Sequence, residues 1–126
     1  MKEIICSSNA PAAIGPYSQA TSVGTLIYTS GQLPIDPATG TFPTDDIAEQ
    51  TRQSLSNVKA VLEAAGSDMS KVLKTTVFLK NMGDFAQMNA VYGTFFQEGQ
   101  YPARSAVEVA ALPMGAKVEI EAVACK

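Results

Sequence analysis

The chain has 126 residues, 46% of them hydrophobic and 17% charged, with a formal net charge of -3 and no histidine. These values describe a single globular domain over residues 1–126, large enough to bury its own core, and they leave no basic field for polynucleotide phosphates or anionic lipid. The missing histidine excludes Ser-His-Asp and Cys-His triads, histidine metal sites and the usual general base near neutral pH.

In chain order, the apolar run Ile4-Ile5-Cys6 is too short for a secretory leader, and no stretch approaches a membrane span. A soluble cytoplasmic protein is expected, with Cys6 and Cys125 as reduced thiols. Lys2 to Ser7 reads as a short edge strand, and a loop from Asn9 to Pro16 leads into Tyr17. Ser18–Ser22 and Thr25–Ser30 flank Val23-Gly24 as a hairpin, although valine suits a positive-φ turn position poorly. Leu33 to Pro43 is turn-rich connection. From Asp45 to Ala65 the period changes: Ile47, Thr51, Leu55, Val58, Leu62 and Ala65 recur at the spacing of an amphipathic helix. Asp45 or Asp46 can cap its start, Asp46 with Glu49 resembles a capping box, and Gly66 suits the left-handed residue that ends a helix. Val72 to Lys80 is a β-branched strand, with Leu73, Val77 and Leu79 on one side and Val72, Lys74, Thr76 and Phe78 on the other. Asp84 can cap a second helix whose core stripe is Phe85, Met88, Tyr92 and Phe95, closed by Gly99. Arg104–Val109 and Ala116–Cys125 alternate as strands around Leu112-Pro113-Met114-Gly115.

The order β-β-β-α-β-α-β-β predicts an α+β two-layer sandwich, a mixed six-stranded sheet with two helices on one face. The alternation puts Val118, Ile120, Ala122 and Ala124 opposite Glu119 and Glu121, and Ser105, Val107 and Val109 opposite Arg104, Ala106 and Glu108. If the apolar sets share one core, Arg104, Glu108, Glu119, Thr76 and Phe78 stand on a second face that no element covers. That face is too apolar for water and too charged for a dry core, so an oligomer closing around a common axis is expected, most simply a trimer.

No CxxC, P-loop or GxGxxG is present, so zinc, nucleotide and dinucleotide readings lack support, and Lys74 and Lys117 alternate with polar residues as rim charges do. What remains is Arg104, Glu119 on a neighbouring strand, and Tyr17 after a proline-rich loop. A guanidinium fork binds a small carboxylic acid, and a half-buried carboxylate can hold and deprotonate water. Equally, Arg104 and Glu119 can be a cross-strand ion pair, and Tyr17 a ring whose hydroxyl finds a backbone partner.

Motifs along the whole chain carry a resemblance. Tyr101-Pro102-Ala103-Arg104-Ser105, Val107-Glu108-Val109, Leu112-Pro113 and Val118-Glu119-Ile120-Glu121-Ala122 are similar to the C-terminal signature of the Rid family, the reactive intermediate deaminases, and most of all to its RidA branch. Ala10 to Ala20, Tyr28 to Pro34, Gln50-Thr51, Asn57, Leu62, Ala65-Gly66 and Lys74 to Leu79 continue it. The resemblance implies a chorismate-mutase-like homotrimer with sites between subunits. The implied reaction is hydrolysis of 2-imino acids, such as 2-iminopropanoate and 2-iminobutanoate, to 2-oxo acids and ammonia. It links the chain to pyridoxal-phosphate enzymes that release the parent enamines, and needs no metal or cofactor. Arg104 falls on the carboxylate clamp, Glu119 on the water-positioning residue, and Tyr17, Ser30, Gly31 and Asn89 on pocket positions. Ala106 stands where many RidA members have cysteine, which removes a thiol but nothing hydrolysis requires. A non-catalytic binder of small carboxylates, a chaperone-like protein, a pericyclic enzyme of chorismate-mutase type and a nuclease are the other readings. The acidic balance and missing histidine weigh against the nuclease, and no nucleic acid or membrane partner is expected.

Overall fold

A computed structural model describes residues 1–126. The strands are β1 (Glu3–Ile5), β2 (Ala20–Val23), β3 (Leu26–Thr29), β4 (Val72–Leu79), β5 (Ala103–Glu108) and β6 (Val118–Cys125), and the helices are α1 (Ile47–Ala64) and α2 (Phe85–Gly93). They build one six-stranded sheet in the order β1-β2-β3-β6-β4-β5. β4 and β5 are parallel, and the other neighbours are antiparallel. A parallel pair needs a crossover, which α2 supplies. The sheet is therefore mixed and the fold is α+β, with both helices on one face.

The helix termini follow local chemistry. Asp46 accepts a hydrogen bond from the Glu49 N–H at 3.0 Å, but the box is half-made. The Asp46 N–H goes to the Thr44 hydroxyl and the Glu49 side chain to Arg52. At the other end Gly66 has φ +82°, the Ser67 N–H reaches Leu62 O and the Gly66 N–H reaches Glu63 O, a Schellman motif. A 3-10 turn, Met82–Asp84, precedes α2, and α2 ends at Gly93 rather than running to Gly99. Asp84 makes no side-chain cap; Asn81 accepts from the Gly83 N–H at 2.8 Å and Glu108 from the Met82 N–H at 2.7 Å. The hairpin turn also shifts by one residue. Val23 pairs with Leu26, so the loop is Gly24-Thr25, and the positive φ of 57° falls on glycine.

Leu55, Val58, Val61 and Leu62 of α1 and Met88 of α2 pack on Ile27, Val77, Leu79, Val118 and Ile120 in one buried cluster. The opposite face has no cover: Ile4, Tyr28 and Val107 are 59%, 47% and 41% exposed. Two expected face assignments are corrected. A bulge between Val72 and Lys74 turns Val72 inward and leaves Leu73 exposed. In β5 it is Arg104 and Ala106 that face the helices, while Ser105 and Val107 join the open face. Ala106 is small enough to pack beneath α2, and the Arg104 stem and guanidinium lie along aromatic rings as an apolar side chain would. Glu108 lies on the same helix side, where it caps the turn before α2. No helix is long and apolar enough to cross a membrane.

Candidate active site

Where the segment after β3 meets the start of β6, a cavity of about 790 Å3 opens, lined by Tyr17, Ser30, Gly31, Glu119 and Met114 among others. A β-bulge shapes it. Tyr28 pairs with Val123 and Gln32 with Ile120, so Thr29, Ser30 and Gly31 stand against only Glu121 and Ala122. The extra residue brings the Gly31 backbone onto the Glu119 carboxylate. A methyl group at Gly31 would lie 2.6 Å from Glu119 Oε2 and 2.8 Å from its Cδ, so only glycine admits the carboxylate in this position. Burial pushes the Glu119 pKa up, and repulsion from Glu121 adds to it. The ion pairs of the chain, Arg52–Glu49, Lys59–Glu63 and Lys126–Glu3, leave Glu119 without a cation. None of the backbone hydrogen bonds outside the regular elements uses the Gly31 N–H.

Buried polar side chains hold the cavity walls. The Gln19 amide, 3% exposed, donates to Pro11 O at 2.7 Å and Ser7 O at 3.1 Å, fixing the loop that precedes Tyr17. From α1, Ser54 donates to Gln32 O at 3.0 Å, and Asn57 donates to Leu33 O and Ile35 O at 3.0 and 2.9 Å. Ser30 contributes backbone rather than hydroxyl, because its Oγ donates to Ser18 O at 2.6 Å. Tyr17 is 51% exposed, and its hydroxyl accepts only a long bond of 3.4 Å from the Ile14 N–H, leaving its proton for a ligand. Met114, at the rim, has φ +58°. A left-handed conformation costs a non-glycine residue about 1–2 kcal/mol.

Arg104 and Asn89 form a separate cluster. Arg104 Nη1 donates to Asn89 Oδ1 at 2.6 Å, and the guanidinium carbon sits 4.7 Å from the Tyr92 ring centroid and 5.3 Å from that of Phe85. No carboxylate of the chain pairs with it. Two rings and one amide thus orient a cation whose other donors remain open.

The expected residues therefore divide. Tyr17, Ser30, Gly31 and Glu119 share the cavity; Arg104 and Asn89 share the outer edge of the sheet against α2. The expectation that Arg104 and Glu119 stand on neighbouring strands and share the uncovered face of the sheet is corrected. β4 lies between their strands, Arg104 registers with Thr75 and Glu119 with Phe78. Thr75 and Phe78 are three residues apart, hence on opposite faces. No three His, Cys, Asp or Glu side chains converge to hold a metal ion.

A family profile described as endoribonuclease L-PSP matches residues 7–126. An Escherichia coli protein named 2-iminobutanoate/2-iminopropanoate deaminase is 54% identical over 128 aligned positions, covering 100% of this chain and 99% of that one. A Sinorhizobium fredii RutC family protein is 58% identical, covering 98% and 97%. Among solved structures, YyfA of Yersinia pestis, described as a member of the conserved Rid protein family, superposes with a TM-score of 0.97 at 49% identity, covering 100% of both chains. Escherichia coli TdcF with bound serine superposes with a TM-score of 0.93 at 48% identity, covering 98% of both. With the profile and relatives of this identity spanning nearly every residue, the chain belongs to the endoribonuclease L-PSP family, the Rid family that its motifs resemble.

Proposed function

We propose that the chain is a hydrolytic deaminase of small 2-imino acids, and that its working site is assembled from two copies. In this reading residues 1–126 act as one domain, and three copies close around an axis in a chorismate-mutase-like homotrimer. Each copy brings Arg104 and Asn89 to the cavity of the next. The observation that carries the reading is complementary incompleteness: a half-buried carboxylate without a cation, and an oriented guanidinium without an acid. The uncovered sheet face with Ile4, Tyr28 and Val107 supports association of copies, and the deaminase name of relatives at 54% identity supports the chemistry.

The mechanism follows from charge placement. Arg104 of one copy holds the substrate carboxylate, with the Gly31 N–H as a second donor, and so fixes the imine carbon near Glu119 of the other. Glu119 accepts a proton from water as the water oxygen bonds to that carbon, giving a carbinolamine. It returns the proton to nitrogen; as the C–N bond breaks, the carboxylate takes the hydroxyl proton, the carbonyl forms and ammonia leaves. The raised Glu119 pKa brings the group closer to neutral pH, where a carboxylate both accepts and returns a proton efficiently. The Tyr17 hydroxyl donates to the oxygen that becomes the carbonyl. These steps use no metal or cofactor. The enamines that tautomerise to such imines come from pyridoxal-phosphate enzymes, so the cytoplasm is the compartment that fits.

The test is a coupled assay. A serine dehydratase generates 2-aminoacrylate, and pyruvate formation is followed with and without this protein. Acceleration is expected. A pyruvate rate unchanged by stoichiometric protein would reject the deaminase in favour of a binder of small carboxylates.

A further inference from the structure

Arg104 stands on β5, the outermost strand on its side of the sheet. Pairing with β4 fixes its Cα opposite Thr75, but nothing in that pairing fixes the long side chain. A lone guanidinium at a sheet edge would sample many rotamers, each lost on binding a ligand. Here three residues on one face of α2 restrain it. Phe85, Asn89 and Tyr92 follow at spacings of four and three residues, so they line up along the helix, and all three touch the guanidinium. Tyr92 makes the nearer ring contact and is itself packed and hydrogen-bonded. It is 4% exposed, Phe96 packs against it with centroids 4.9 Å apart, and its hydroxyl lies 2.6 Å from Thr75 Oγ1. A bracket therefore closes: the Thr75 backbone holds the Arg104 backbone, the Thr75 hydroxyl holds Tyr92, and the Tyr92 ring holds the guanidinium.

We propose that Tyr92, anchored by Thr75, is a positioning residue for Arg104, setting the guanidinium plane so that the donors not used by Asn89 meet a substrate carboxylate. The inference rests on Arg104 being the carboxylate clamp. Acid recognition then depends on a buried ring that never touches substrate. The guanidinium contacts the ring face and Thr75 holds the hydroxyl, so phenylalanine should retain more of the function than leucine.

The test measures calorimetric binding of 2-oxobutanoate and of its uncharged amide, 2-oxobutanamide, to the full-length oligomer. Tyr92→Leu is expected to weaken the acid by about tenfold, the scale of one desolvated cation–π contact, and to leave the amide unchanged. Tyr92→Phe keeps the ring but loses the Thr75 anchor, so its loss for the acid should be smaller than that of Tyr92→Leu. Phe85→Leu removes the more distant ring and should give a smaller loss, about threefold, again for the acid alone, which keeps the test available if Tyr92→Leu does not fold. Wild-type acid affinity in Tyr92→Leu or, failing that, in Phe85→Leu would overturn the proposal. So would an equal loss for acid and amide, which marks general damage. Turnover is scored separately: a wild type that binds the acid but hydrolyses no imine rejects the deaminase reading and leaves the bracket standing.

Discussion

The cavity around Glu119 and the cluster around Arg104 are built on opposite principles. Around Glu119, backbone does the shaping: a bulge, a required glycine and carbonyls tied down by Gln19, Ser54 and Asn57. Burial there works against the charge, raising the carboxylate pKa. Around Arg104, side chains do the shaping: two aromatic rings and an amide favour a charge that has no counterion. One region stores an acid poised to take a proton, the other a cation poised to take an acid. In the proposed composite site the two halves would work only when copies meet, which accounts for both charges being unpaired in one chain.

Substitutions that strip one region of its charge should have the largest effect. Arg104→Ala is expected to lower kcat/KM for 2-iminobutanoate by about 100-fold or more, the scale of losing an oriented charged donor, with an unchanged oligomer in light scattering. Glu119→Gln should lower kcat by about 100-fold or more, as for loss of a general base. Its pH dependence separates it from Arg104→Ala. The wild-type rate should fall on the acid side with a midpoint moved up from that of an unperturbed glutamate, because burial raises the Glu119 pKa. The stability effect has the matching sign. The folded state keeps this proton over a window where the unfolded chain has lost it, so stability falls as pH rises through that window, and Glu119→Gln removes the fall. Thermal melts of both proteins across the window check it.

A smaller effect comes from geometry. Gly31→Ala places a methyl 2.6 Å from Glu119 Oε2 and must displace the carboxylate. Activity should drop about tenfold, the cost of misplacing a reacting group by a fraction of an ångström, while the melting temperature changes little. Smaller still, Asn57→Ala orphans the Leu33 and Ile35 carbonyls and should destabilise the fold by about 1–3 kcal/mol in denaturant titration, with KM rising as the cavity wall loosens.

Much of the architecture is legible in the residues. The Ile47 to Ala65 stripe, the Gly66 stop and the period-two strands name every element in order, because burial of one face leaves its period in the sequence. The face that Arg104 takes is less legible. Counting apolar residues in Arg104–Val109 sends the valines inward, yet rings on α2 take the guanidinium and stem in their place. A cation stacked on aromatics behaves as core, which binary patterning cannot register. The half of the site built on the β3 bulge is visible only as Ser30-Gly31-Gln32, a glycine just past a strand. The side chains that hold the cavity wall left a fainter mark: Ser54 and Asn57 lie on a polar ridge beside the apolar one on α1, and both are buried. Nothing in the pattern at Leu112-Pro113-Met114-Gly115 announces the left-handed Met114 before Gly115.

The composite site is tested most directly by mixing two inactive chains. Arg104→Ala and Glu119→Gln proteins are unfolded together, refolded as mixed oligomers and assayed on 2-iminobutanoate. If each site takes its guanidinium from one copy and its carboxylate from the next, an equal mixture in a cyclic trimer should recover about a quarter of wild-type activity. No recovery at any mixing ratio, with mixed oligomers demonstrated by mass spectrometry, would contradict a site shared between copies.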